Sequence, residues 1–150
     1  MISAKLVQLI EDHSDTITDR VVREIRHHPR MHHIGRLPET ELRDVCQDVL
    51  KRLGHWLLAS REDEVARHFE AQGRVRAKEK VPLHEVVNGS HILKERMLDY
   101  VRDQGIAQTS VELYAEEELE HQIGVFFDAV VYHVVKGYEE AFTLAAAAAR

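Results

Sequence analysis

Apolar residues recur along this chain at steps of three and four, in stretches that follow one another with few breaks. That is the period of an α-helix with one buried stripe, not of a strand. Leu6, Leu9 and Ile10 share one side of a first helix, which Ser3 can cap and which runs to about His13. Ile17, Val21, Val22 and Ile25 mark a second, started by Ser14 or Asp15. Pro29 ends it, since a proline disfavours helical geometry in the residue before it. Pro38 precedes a third helix, in which Leu42, Val45, Cys46, Val49, Leu50, Leu53, Trp56 and Leu57 form one stripe. A fourth follows a connection at residues 60–63. It turns Val65, Phe69 and Ala77 inward and Arg67, Arg74, Arg76, Lys78 and Lys80 mostly outward. Gly73 in its middle costs about 1 kcal/mol relative to Ala and marks the close approach of another helix. Pro82 opens a fifth helix and Gly105 closes it, with Leu83, Val86, Val87, Ser90, Leu93, Met97 and Val101 on one stripe. Thr109 or Ser110 caps the last, whose acidic first turns suit the helix dipole and whose alanine-rich end keeps high helix propensity.

One stretch breaks the amphipathic rule. Residues 123–135 read IGVFFDAVVYHVV, a dense apolar run interrupted only by Gly124, Asp128 and His133. A bilayer-spanning helix needs about 20 apolar residues, so this run is too short to cross a membrane. Flanks rich in Glu, Leu and Ala, with no Pro, set it inside a helix. A helix that is apolar on nearly every side must be covered on nearly every side. Ile123, Phe126 and Val130 share one stripe and are expected in the core. Val131, Tyr132, Val135 and Tyr138 are expected at an interface, as a dimer seam or a coupler to an output domain.

Composition narrows the class. Apolar residues at 44% and charged residues at 31% suit one globular domain over residues 1–150. With 3 Pro and 7 Gly the chain is poor in turn formers, so an all-α fold of five or six helices is expected. A net charge of -6 argues against a nucleic-acid binder, which shows a basic face. Cys46 stands alone, which removes a disulfide framework and any Cys-based zinc site. Its place on an apolar stripe makes it a small core residue rather than a nucleophile. The N-terminal MISAKLVQLIEDH reads as a first helix rather than a signal peptide, and the expectation is a cytoplasmic protein.

Histidine carries what candidate chemistry there is. His27, His28, His32 and His33 surround Pro29, and two imidazole pairs that close suit a transition metal. No Cys, Asp or Glu lies within the loop to complete a zinc set, so a surface loop is the plainer reading and no metal is expected. Glu24 with His27 and Glu118 with His121 repeat the spacing of carboxylate di-iron bundles, yet His121 faces away from the Ile123 stripe. His84 and His91 border the stripe of the Pro82 helix, and His133 that of the last helix. With Met97 and Phe126 they are the candidate residues for a ligand held between those two helices. A structural, hydrogen-bonded histidine is the commoner occupant of such a position. The 11 histidines also allow pH sensing. There is no phosphate-cradling glycine loop, nucleophile elbow or HExxH motif, so no enzyme is expected. The basic residues 74–80 are either a solvated face or a face for an acidic partner.

Three segments carry a family resemblance: HHPRMHHIGRLPETEL, LGHWL and FEAQGRVRAKEKVPLHEVVNGSHILKERM. From about Leu6 to Tyr138 their order resembles the N-terminal sensory domain of RsbRD-type co-antagonists of RsbT, found also at the front of some bacterial sensor histidine kinases. The resemblance implies a globin-like helical regulatory domain without enzymatic activity. Such a domain dimerises with itself, senses a ligand or partner, and passes the change to a kinase or STAS-type output domain. No output module lies within the 150 residues. Globin-like architecture also makes haem the alternative to having no cofactor, with His84, His91 and His133 as possible axial ligands.

Overall fold

A computed structural model of the protein describes residues 2–58, 62–105 and 107–149, with side chains from Ala4 onward. Ser60 and Arg61 lie outside the described residues, and so does the Ser3 side chain expected to cap α1. Among the described residues there are seven α-helices and no strand: α1 Ile2–Asp12, α2 Ser14–His27, α3 Glu39–Leu50, α4 Leu53–Trp56, α5 Glu62–Lys78, α6 Leu83–Asp103 and α7 Ser110–Ala148. A 3-10 turn at Ile34–Arg36 interrupts the link from α2 to α3. The all-α expectation holds.

The count of five or six does not, and the difference lies in one break. The stripe from Leu42 to Leu57 predicts one helix, but the backbone leaves helical geometry at Arg52, with φ -120° and ψ 27°. The restart exposes fresh N–H groups, and the Glu11 carboxylate of α1 takes one of them from Gly54 at 3.2 Å. Leu53 and Trp56 stay buried, and the Trp56 indole donates to the Asp48 carbonyl at 2.8 Å. Side-chain periodicity survives the break because the same residues still face the core.

The bundle is organised on α7, which runs unbroken for 39 residues, about 58 Å at 1.5 Å per residue. The Thr109 hydroxyl caps it by accepting from the Glu112 N–H at 3.1 Å. Its longest contact is with α5, where two glycines bring the backbones together. A Cβ on Gly73 would stand 2.0 Å from the Val134 carbonyl oxygen, and one on Gly137 would stand 2.0 Å from that of Glu70. Gly73 therefore does mark a helix approach, and Gly137 is its counterpart. Trp56, Phe69, Phe126 and Phe127 form an aromatic cluster beside this crossing, with Trp56 to Phe69 at 5.4 Å and Phe69 to Phe126 at 5.9 Å. Leu119, Ile123, Phe126 and Val130 lie in the core, as their stripe predicts.

The segment between α2 and α3 is held by Met31 and Ile34, both buried, and by the buried Glu85 of α6. Glu85 accepts from the backbone N–H groups of His33 at 2.9 Å and Ile34 at 3.2 Å, and from His33 Nδ1 at 2.7 Å. Gly105 ends α6 with φ +58°, a C-terminal stop of the expected kind.

Candidate functional site

An apolar cavity of about 70 Å³ lies where the central helices converge. Val21 and Ile25 reach it from α2, Val49 from α3 and Phe69 from α5. Val86 and Leu93 come from α6, and Phe127, Val130 and Val134 from one face of α7. Four polar side chains stand in the wall: Cys46, Gln72, Arg76 and Ser90. Burial pushes the Cys46 thiol up to about 12, against a smaller downward pull from Arg43, so it stays neutral and unreactive. The Gln72 amide donates to His68 Nε2 at 3.1 Å, and the Ser90 hydroxyl to its own helix at the Val86 carbonyl, 3.4 Å away.

Arg76 was expected to face outward with its basic neighbours, but its side chain is only 8% exposed. It donates to Glu41 at 2.6 Å and to Glu79 at 2.5 Å. The two carboxyls stand side by side on this guanidinium and influence each other. The Glu79 carboxyl first, then Arg76, holds Glu41 below the ordinary carboxylate range against its burial, while burial, then Glu41, pushes Glu79 above it. Arg74 is paired with Glu140 at 3.3 Å, so two cations of the basic run of residues 74–80, Arg74 and Arg76, are matched by carboxylates of the chain itself.

A second feature lies on the outer side of α7. Val125 and Phe142 are exposed, and Tyr132 is 64% exposed. Val131 and Val135 beside them are half-buried. Val125 to Tyr132 and Val135 to Phe142 are both steps of seven, which makes one stripe along the helix. Of the expected interface residues, Tyr138 lies elsewhere. It is 8% exposed, and its hydroxyl donates to the Val81 carbonyl at 2.7 Å, locking the end of α5 to α7.

The histidines are dispersed. His84 and His91 are exposed on an open groove shared with His28, Arg30 and Asn88. His133 Nδ1 donates to Glu70 Oε2 at 2.7 Å, an α7-to-α5 tie that Lys136 joins at 3.8 Å. Met97 and Phe126 are core residues, and none of these five lines the cavity. The cavity is smaller than a haem, and no imidazole faces it. In the loop, His27, His32 and His33 are exposed and His28 is half-buried. Among the described residues no three His, Cys, Asp or Glu side chains stand together as metal ligands. No described helix is long and apolar enough to cross a membrane. The cavity escaped sequence reasoning because six elements build it, most of them contributing residues that look like ordinary core.

A family model described as the RsbT co-antagonist protein rsbRD N-terminal domain matches residues 15–150 of the chain. No curated protein and no solved structure matches it.

Proposed function

Because the chain belongs to the family of RsbT co-antagonist rsbRD N-terminal domains, a stressosome-related signalling family, we propose that it is a non-enzymatic sensor module. It is a globin-like bundle working in the cytoplasm as a homodimer. Its signal goes to a kinase or STAS-type output domain, fused or separate. The observation that carries this reading is the two-faced α7. Phe127, Val130 and Val134 form a wall of the core cavity, while Val125, Tyr132 and Phe142 stand exposed on the same helix. A change in packing at the inner face therefore alters the outer face through one rigid element. The mechanism is a population shift: a ligand or partner with different affinity for two packings of α7 moves the balance between them.

Light scattering tests the dimer. The expected result is a mass of two chains at micromolar concentration, falling to one chain in the double variant Val125→Glu, Tyr132→Glu with its helical circular dichroism unchanged. A wild-type protein that is strictly monomeric overturns the dimer. An absorption spectrum of the purified protein bears on the cofactor: a Soret band lost on substituting one histidine would replace this reading with a haem sensor.

A further inference from the structure

We infer that the cavity lined by α2, the 3-10 turn, α3, α5, α6 and α7 is a binding site for a small, uncharged, apolar molecule of the dissolved-gas class. Its size sets the first limit. An apolar cavity of about 150 Å³ accepts benzene, so one of about 70 Å³ has room for roughly three non-hydrogen atoms.

The wall sets the second limit. A water inside needs two or more polar partners, and the bonds of the few polar side chains in this wall lead away from the cavity. Arg76 is held by Glu41 and Glu79, Gln72 by His68, and Ser90 by its own helix. The Cys46 thiol is only a weak donor. What remains is hydrocarbon and the Phe69 and Phe127 rings, whose atoms lack neighbours on the cavity side and gain dispersion contacts when it fills. A charged or strongly polar ligand would lose its hydration without return.

A route in is also present. Val45, Gln72 and Arg76 line both the cavity and a surface groove between α3 and α5. Glu41 and His68, which hold Arg76 and Gln72, line that groove too, so both long side chains are tethered on the solvent side of the partition. The use of the site as a signal rests on the sensor reading; the binding step does not.

The experiment uses xenon as an inert probe of the right size and methyl NMR of the whole chain. The expected result is a set of saturable shifts on the methyls of Val49, Val86, Val130 and Val134, with Val111 and Leu144 unmoved. Cys46→Leu on α3 and Ser90→Val on α6 fill the space from opposite walls. Each is expected to weaken xenon binding at least tenfold. No saturable shift, shifts centred on exposed methyls, or shifts that persist in a folded filled variant would each overturn the site. The wild-type shift map decides alone where a filled variant does not fold. Molecular oxygen, whose paramagnetism broadens nearby methyls, must broaden the same set. Light scattering under xenon separates the two claims: occupancy of the cavity with an unchanged monomer–dimer balance leaves the site standing and removes the sensor reading.

Discussion

Thr18 is fully buried on α2, and its hydroxyl has no hydrogen-bond partner among the described residues. An unpaired buried hydroxyl carries its whole desolvation penalty, and Val has nearly the same shape without it. Thr18→Val is expected to stabilise the fold by about 1 kcal/mol, read as a higher urea midpoint at unchanged slope. Residues of this kind show how far single positions can be read. Ile17, Val21, Val22 and Ile25 are buried as their spacing predicts, because helical period alone decides which side they take. Arg76 and Tyr138 defeat that logic. Each is turned inward by a partner distant in the chain, Glu41 for one and the Val81 carbonyl for the other. Lys80 defeats it differently. It holds left-handed backbone at φ +60°, where a glycine would have announced the end of α5.

At the scale of elements, three glycines on two helices separate packing from propensity. Gly73 and Gly137 sit where a methyl group would meet a carbonyl oxygen of the facing helix, whereas a Cβ on Gly124 would meet nothing within 4 Å. Gly137→Ala must push α5 and α7 apart and is expected to cost about 1–3 kcal/mol or more, as overpacked cores do. Gly124→Ala, on the same helix, is expected to stabilise by roughly 0.5–1 kcal/mol, because it removes only backbone freedom. Thermal or urea denaturation of the pair gives opposite signs if the crossing is as described. Gly73 was legible because it interrupts an otherwise helix-favouring sequence. Gly137 was not, since it follows a run already apolar on every side. The α3–α4 break was equally hidden, as Leu53 and Trp56 keep the rhythm of the stripe across it.

At the scale of the molecule, Glu85 joins α6 to a segment about fifty residues earlier. Burial alone would raise its carboxyl. The Ile34 and His33 N–H groups and the His33 ring outweigh that and leave it below its ordinary value of 4.5. The folded carboxylate therefore adds stability at all pH above about 4.5, and this is lost as pH falls through the lower folded value. Denaturation midpoints are expected to decline through that acidic range. In Glu85→Gln the decline is shallower, and stability at neutral pH is lower by about 1–3 kcal/mol. Helix order and class were legible because each stripe is local. The Glu85 clasp and the cavity were not, because their members meet only after all the helices have packed. The crossing of α5 and α7 has one more effect, which is mechanical. With no side chain between the backbones at Gly137, α7 rests there on a fulcrum. Val130 lies seven residues to one side and Ala148 eleven to the other, arms of about 10 and 16 Å at 1.5 Å per residue. A rigid tilt of α7 about that point, which requires the Tyr138–Val81 and Arg74–Glu140 ties to give, moves its far end opposite to the cavity wall and about one and a half times as far.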